Sequence, residues 1–381
     1  MTRGVLEVVL DQLPTRWPAA PASSVEFLSA FLPPPSREFL PSLPVGGTPL
    51  LEVPGLRRTL GMRHLWVKDD TRNPSGSTKD RASFLVVAKA REYGFETVAT
   101  ASTGNAASAL AAVAAASGIR AVVFVPAAAP EAKLVQMLSY GAFVLPVEGT
   151  YDEAFELCRK ACDQFGWYNR NTALNPFTIE GKKTAALEIA ADLAPECPDA
   201  VLIPTGDGVI LSGVAKGFAD LELGGLVKRA PRLIAVQPQG SSAIVNALRN
   251  GTATVTPIPD AASVADSLTV QVPRNALQCL RAIRACNGAG VTVSDEAIVE
   301  AIAELAARTG VFAEPAGAAA LAGLHAALEA GLVDREERVV LLVTGSGLKD
   351  IPAAARAVQR PTPIPPSIDA VAERLSRLSE A

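Results

Sequence analysis

Short apolar runs alternate with alanine-rich amphipathic stretches along most of the chain after residue 65. The short runs are rich in valine, leucine and isoleucine, which favour strands, and the alanine-rich stretches favour helices. Strands are predicted at 65–68, 97–100, 121–125, 143–147, 200–203, 232–236 and 338–343. Helices are predicted at 83–93, 106–117, 130–140, 152–165, 181–193, 212–221, 294–309 and 316–330.

This order of elements predicts an α/β protein. Strands that are apolar throughout are typical of parallel sheets, because helices cover both of their faces. In such sheets ligands bind beyond the carboxyl ends of the strands, where loops lead into helices. Chemistry is therefore expected in the loops that directly follow strands.

Both ends of the chain differ from this pattern. Residues 1–47 are rich in proline, and prolines at 33–35, 41 and 44 forbid a long helix there. This segment is predicted to be an arm that wraps either a surface of the protein or a partner subunit. Residues 361–381 are predicted to be a proline linker followed by an amphipathic helix over 368–378.

Composition narrows the class of protein. Of the 381 residues, 49% are hydrophobic and 19% charged, with a net charge of −4. A chain of this kind buries a large core, which excludes general disorder, and its charge argues against a nucleic-acid partner. No stretch reaches the length of about 20 apolar residues that spans a membrane. The N-terminus does not resemble a signal peptide, and the five cysteines form no C-x-x-C pair, so a cytoplasmic location is expected.

One post-strand loop ends in a lysine at the start of a helix. Residues 69–81 are rich in glycine, serine and proline, and Lys79 follows Thr78 and precedes Asp80. The nucleoside triphosphate loop requires Gly-Lys-Ser/Thr, so that interpretation fails. Lys79 is then either an imine-forming amine, favoured by the positive end of the helix dipole, or a solvated surface lysine.

Three further post-strand loops could bind polar groups. Ser102, Thr103, Gly104 and Asn105 precede a helix and offer hydroxyls and N–H groups to a carboxylate, or form an ordinary helix cap. Residues 204–209 contain two glycines and could hold a phosphate, provided that the Asp207 carboxylate points away. The loop that starts at Thr344 could also be a plain turn. Taken together, a reactive lysine, a phosphate loop and ring partners indicate pyridoxal phosphate.

Six segments resemble those of one family, in the same order. NPSGSTKDRAS (73–83) resembles the NPTGSFKDR signature of threonine synthase and its fold-type II pyridoxal-phosphate relatives, and ASTGNAASALAA (101–112) resembles their STGN loop. The other four segments are NPFTIEGKKTAALEI (175–189), PTGDGVILSGVAKGF (204–218), VFAEPAGAAALAGL (311–324) and VTGSGLKD (343–350). The resemblance covers about residues 43–357.

The resemblance implies two doubly wound parallel-sheet domains of the tryptophan synthase beta-like type, usually in a homodimer. A large cofactor domain would comprise residues 48–90 and 186–360, and a small mobile substrate domain residues 91–185.

The resemblance also assigns roles to residues. Lys79 would be the Schiff-base lysine, Asn105 would bond the 3′ oxygen of the cofactor ring, and Thr344 would face the pyridine nitrogen. The cofactor phosphate would be held by Gly206, Asp207, Gly208, Val209 and Ile210. Substrate would be bound by Ser102, Thr103, Gly104, Asn175, Thr178 and Lys182. No metal site is expected.

These roles imply elimination or replacement at the β or γ carbon of a small amino acid. A neutral hydroxyl at Thr344 stabilises a protonated pyridine less than a carboxylate does, which disfavours transamination. Threonine synthases use O-phosphohomoserine, and in the family an arginine stands where this chain has Thr178, so a charge-assisted phosphate contact is missing. Lys182 replaces the usual glutamine and could restore a point charge.

Two alternatives stay open. One is a threonine or serine ammonia-lyase, because the segment 265–270 resembles the corresponding loop of those enzymes. The other is a non-catalytic ligand-binding protein on the same scaffold.

Overall fold

A computed structural model describes residues 6–22, 24–33, 35–102, 104–127 and 131–378. Ten strands are found in these ranges: β1 (Leu50–Glu52), β2 (His64–Asp69), β3 (Thr97–Ala101), β4 (Arg120–Pro126), β5 (Phe143–Val147), β6 (Tyr168–Asn169), β7 (Ala200–Pro204), β8 (Arg232–Pro238), β9 (Ala289–Val293) and β10 (Arg338–Val343).

The same ranges contain the α-helices α1 (Val25–Ser29), α2 (Pro54–Leu60), α3 (Lys79–Glu92), α4 (Asn105–Ser117), α5 (Glu131–Ser139), α6 (Tyr151–Phe165), α7 (Phe177–Leu193), α8 (Val209–Leu223), α9 (Ala243–Arg249), α10 (Ala276–Ala285), α11 (Asp295–Thr309), α12 (Pro315–Glu329), α13 (Ile351–Ala355) and α14 (Ile368–Leu378). None of these helices is both long and apolar enough to cross a lipid bilayer.

The described strands form two sheets, which confirms the predicted α/β class. The larger sheet has the order β1-β2-β10-β7-β8-β9, and the smaller has the order β5-β4-β3-β6. All pairings are parallel except that of β1 with β2. The antiparallel edge strand departs from the prediction of purely parallel sheets. It was missed because its three residues are too few to show a pattern.

Apolar side chains cover both faces of the larger sheet. Valines and leucines of β10 alternate between them, with Val339 and Leu341 in one cluster and Val340 and Leu342 in the other. This alternation follows from the two-residue period of a strand. The elements that the pattern missed beside this sheet are short or weakly apolar: β1, β9, α2, α9 and α10.

Glycines fix α7 closely between its neighbouring helices. A Cβ on Gly181 would lie 2.2 Å from the carbonyl oxygen of Arg81 in α3. On the other side, a Cβ on Gly213 of α8 would lie 2.7 Å from the Cβ of Lys182. Only glycine permits such backbone contact, so the position of Lys182 is set by the packing of three helices.

The N-terminal segment packs against the protein itself. Phe27 and Phe31 are buried in the cluster of apolar side chains that also contains Leu85 and Phe218, and Trp17 stacks on Phe27 with ring centroids 6.1 Å apart. This part of the N-terminal segment therefore contributes to the apolar core. At the other end, the helix predicted over 368–378 is present as α14.

Candidate active site

Three loops of the larger sheet meet at one edge because their strands are neighbours. β2, β10 and β7 lie side by side and parallel, so their carboxyl ends are adjacent. The loop after β2 contacts the loop after β10 through a bridge between Ser77 and Gly345 and a 2.9 Å bond from Thr78 N–H to the carbonyl oxygen of Thr344. These neighbouring loops carry Lys79, Thr344 and Gly206. They lie at the edge of a parallel sheet at which ligands usually bind.

Lys79 is the first residue of α3 and lines two adjoining cavities. Burial lowers the pKa of its amine to about 8, although the neighbouring Glu314 carboxylate opposes that shift. Since an ordinary lysine has a pKa near 10.5, a larger fraction of this amine is uncharged at neutral pH. A free amine is a nucleophile and a base.

A buried carboxylate and amide face this lysine from two elements. Asn105 is the first residue of α4, and its Nδ2 donates to Glu314 Oε1 across 2.5 Å. Asn105 Oδ1 and Glu314 Oε2 are buried and have no hydrogen-bond partner among the described residues. Buried polar atoms without partners are costly, so this part of the smaller cavity is suited to a polar ligand.

The loop after β7 presents unused N–H groups to the smaller cavity. Gly206, Asp207, Gly208, Val209 and Ile210 all line it, and Gly208 adopts a left-handed φ of 90° at the start of α8. No described acceptor pairs with the N–H groups of Gly206, Asp207 or Gly208. Such N–H groups at a helix start bind anions.

Asp207 is partly turned away from this loop's N–H groups. Its Oδ1 accepts a 3.1 Å bond from the N–H of Arg274, but the residue lines both cavities. Burial raises the pKa of its carboxyl, while Arg274, Lys182 and Lys79 lower it.

The loop after β3 closes the other side of the larger cavity, which measures about 300 Å³. Ser102 and Gly104 line this cavity, and Ser102 Oγ accepts a 3.1 Å bond from the Gly104 N–H. Thr103 lies outside the described residues. The rest of the wall includes residues at the start of α6 and residues of the segment 261–274, which lies between β8 and β9 of the larger sheet.

Three candidate substrate residues occupy different places. Lys182 is buried and lines both cavities. Asn175 and Thr178 line neither cavity. Their polar groups form hydrogen bonds with other groups of the chain. The Thr178 hydroxyl donates to the carbonyl of Asn175 across 2.8 Å, and the Asn175 side chain bonds Asn169 and Phe177.

Among the residues of the cavities that sequence reasoning missed are Tyr151, Arg170 and Glu314. Glu314 lies in the quoted segment VFAEPAGAAALAGL, where the Glu-Pro pair at a helix start was an available signal. Arg170 and Tyr151 had no such signal, because a lone arginine or tyrosine is usually interpreted as a surface residue.

Comparisons with known proteins agree with this geometry. The chain matches the family described as pyridoxal-phosphate dependent enzyme over residues 41–345. It is 39% identical over 335 residues to a threonine synthase of Methanocaldococcus jannaschii, which is 88% of this chain and 82% of that protein. It is 34% identical over 331 residues to a threonine synthase of Mycobacterium tuberculosis, which is 87% of this chain and 89% of that protein.

Solved structures with the same fold include other enzymes. A threonine deaminase of T.th. superposes with a TM-score of 0.67 at 28% identity, covering 83% of this chain and 94% of that one. Maize serine racemase superposes with a TM-score of 0.69 at 22% identity, covering 88% and 93%. At 22% identity the second likeness concerns the fold alone.

Proposed function

We propose that this chain, which belongs to the threonine synthase family of pyridoxal-phosphate-dependent enzymes, converts O-phosphohomoserine and water to threonine and phosphate. The resemblance, the fold-type II class and the cofactor predicted from the sequence are thereby confirmed. The observation that carries the proposed reaction is the buried Lys79 amine, with its lowered pKa, at the junction of the two cavities.

The residues of the smaller cavity fit the cofactor. The N–H groups of Gly206–Ile210 would hold its phosphate, and the unpartnered polar atoms of Asn105 and Glu314 would contact its ring. Thr344, buried at the end of β10, would face the ring nitrogen. When bound, the cofactor supplies an electron sink for negative charge at the substrate Cα.

Lys79 would move protons during the reaction. Its Nζ would take the proton from the substrate Cα as a general base. In the overall change Cβ loses a proton and the Cγ–O bond breaks, with phosphate leaving with the bonding electrons. Water then adds its hydroxyl at Cβ, Cγ gains a proton, and the remaining proton of water leaves with phosphate. The amine's pKa of about 8 suits this task, because a base that works near neutral pH must be partly uncharged there.

The loop after β3 would bind the substrate carboxylate. Ser102 supplies a hydroxyl, and Gly104 precedes the N-terminus of α4, whose N–H groups carry partial positive charge. Thr103, between them in the chain, is proposed for the same role from the resemblance alone. The carboxylate would thus be fixed while the other end of the substrate reaches toward α6 and residues 261–274.

Ion pairs across the larger cavity would hold the substrate domain closed. Lys133 of α5 pairs with Asp266 at 2.5 Å, and Asp152 of α6 pairs with Arg274. Each pair joins residues 91–185 to a connection of the larger sheet. Opening would admit substrate and water, and closure would exclude bulk solvent and align the Cα proton with Lys79.

A glycine beside Glu314 gives a prediction about the cofactor. A Cβ on Gly345 would lie 2.1 Å from Glu314 Oε1, so Gly345→Ala should displace the carboxylate and break its bond to Asn105. We expect the affinity for pyridoxal phosphate to fall about 10- to 100-fold, in line with an overpacking cost of about 1–3 kcal/mol. Titration of the apoprotein with cofactor, followed by absorbance, measures this change.

Gly118→Ala is the matched control for that titration. Gly118 ends α4 with a φ of 64°, and a Cβ there would meet no atom within 4 Å. The control should lose some stability and keep its cofactor affinity. Equal affinity in Gly345→Ala and the wild type would argue against the role of Glu314.

The proposed reaction is tested by a substrate panel. The purified holoprotein is incubated separately with O-phosphohomoserine, O-phosphoserine, threonine and serine, and products are identified by mass spectrometry and phosphate release. We expect threonine and phosphate from O-phosphohomoserine. A keto acid and ammonia from threonine or serine would identify the ammonia-lyase, and binding without turnover would identify the non-catalytic protein.

The cytoplasmic location and the homodimer remain predictions. A reduced state of the cysteines supports the first, since the five cysteines are free in the structure. The family resemblance supports the second.

A further inference from the structure

Besides Lys79, two basic residues of the larger cavity have no acidic partner within salt-bridge distance in the described structure. The cavity is lined by the basic residues Lys79, Arg170, Lys182 and Arg274. Arg274 pairs with Asp152 and lies over the Phe155 ring at 3.8 Å, and the cavity's Asp266 is paired with Lys133. No described carboxylate lies within salt-bridge distance of Arg170 or Lys182.

Arg170 is deeply buried and incompletely bonded. The residue is 1% exposed, its Nε donates a long 3.4 Å bond to Ser83 Oγ, and its Nη2 has no described partner. A guanidinium stays charged at neutral pH even in such surroundings. A buried, unpaired charge is strongly unfavourable, so the site is built for an anion that is not part of the chain.

The position of Arg170 separates it from the proposed cofactor site. Of the two cavities, Arg170 lines only the larger one. The residues of the phosphate loop 206–210 line only the smaller one, except that Asp207 lines both. Lys182 lines both cavities and is 2% exposed, so it lies where the two meet. An anion bound by Arg170 would therefore lie in the larger cavity, on the substrate side of the site.

The donors of the pair indicate which anionic group that is. A carboxylate carries one charge, and the loop of Ser102 and Gly104 already offers it N–H and hydroxyl donors. Burial, together with the nearby Lys79 and Arg170, lowers the pKa of the Lys182 amine well below its ordinary value, so the charge comes from Arg170 and Lys182 adds a hydrogen-bonding amine. A charged planar fork of donors with a further nitrogen beside it suits the several oxygens of a phosphate ester. Thr178 cannot take this part, because its hydroxyl is bonded to the Asn175 carbonyl and lines neither cavity.

We infer that Arg170, assisted by Lys182, binds the phosphate of a phosphorylated amino acid substrate and is the specificity-determining residue of this enzyme. The inference rests on the proposed function in so far as that function supplies a phosphorylated substrate. It names a different residue from Thr178, the position at which the family resemblance implies an arginine.

The test measures binding to the holoenzyme by titration calorimetry. The probe is a phosphonate analogue of O-phosphohomoserine, in which a methylene group replaces the ester oxygen and prevents release of phosphate. The matched probe is the same amino acid without the phosphonate. We expect Arg170→Gln to bind the phosphonate about 10- to 100-fold more weakly, the effect of losing a charge-assisted hydrogen bond, and to bind the matched probe like the wild type.

Two further variants complete the design. Arg170→Lys keeps a point charge but not the fork, so it should recover part of the lost affinity. Arg63→Gln changes an exposed arginine that pairs with Glu336 at the surface and should bind both probes normally. Cofactor absorbance and thermal midpoint check that each variant is folded and loaded.

The outcomes separate this inference from the proposed function. Unchanged phosphonate binding in Arg170→Gln, or an equal loss for both probes, would overturn the inference, since the second result indicates a structural role. A wild-type holoenzyme that binds the phosphonate through Arg170 but forms no threonine would overturn the proposed function alone. A wild type that binds no phosphonate would overturn both.

Discussion

Replacing Lys79 by alanine is expected to reduce threonine formation at least about 1,000-fold, which lies within the range of a lost general base. The reason is that Lys79 is both the amine that would hold the cofactor and the base at the substrate Cα. The buried amine at the start of α3, with a pKa of about 8, has no described substitute in the same position. The measurement is the initial rate of phosphate release with saturating O-phosphohomoserine.

Borohydride reduction supplies a second readout that does not depend on turnover. In the wild type, reduction should fix the cofactor to the peptide that contains Lys79, and mass spectrometry should locate it there. Lys89→Ala is the matched control, because Lys89 lies on the same helix and pairs with Glu92 away from both cavities. Attachment of the cofactor to Lys182 or another lysine in the wild type would refute the assignment of Lys79.

The edge of the sheet at which the candidate active site lies was predictable, because it follows from the order of elements. Lys79, Gly206 and Thr344 lie in the loops after β2, β7 and β10, which are parallel strands of the larger sheet, so these loops end at one edge. Asn105 follows β3 of the smaller sheet. The adjacency of β2, β10 and β7 was not predicted, and it decides which loops touch.

The residues that complete the site could not be predicted in the same way. Arg170 follows β6, a strand of only two residues, and its burial depends on packing against Ser83 of α3. Conversely, Asn175 and Thr178 lie in a segment with family resemblance, yet their side chains bond to the local backbone. Tertiary contacts decide which side chains at the start of a helix face a cavity. For α7, the relevant contact is the close packing of Gly181 against α3.

A buried ionic network connects the helix of Lys79 to the rest of the larger domain. Arg81, two residues after Lys79, donates to both carboxylate oxygens of Asp70 at 2.7 and 2.8 Å and to both of Glu188 at 2.6 and 2.8 Å. Lys68 also contacts Glu188 at 2.9 Å. Because Asp70, Arg81 and Glu188 are buried on different elements, the network fixes α3 relative to α7 and to the loop after β2.

The network makes the stability of the fold depend on pH in a defined direction. Burial opposes ionisation of Glu188, but Arg81 and Lys68 outweigh it and hold the pKa at about 2, below the ordinary value of 4.5. The stabilisation by this carboxylate is therefore complete above pH 4.5 and is lost as the pH falls toward 2. Without Arg81, only Lys68 would oppose the effect of burial, so the pKa of Glu188 should lie higher than in the wild type and the loss should begin at a higher pH.

Arg81→Met is accordingly expected to lower the free energy of unfolding by about 3–5 kcal/mol, because it leaves the carboxylates of Asp70 and Glu188 buried with less compensating charge. Urea unfolding followed by circular dichroism at pH 7 and pH 5 measures the loss and its pH dependence. The control Arg63→Met breaks an exposed pair with Glu336 and should change the same quantity by at most about 1 kcal/mol. If both variants lost the same small amount at both pH values, the buried network would not be what holds Lys79 in place.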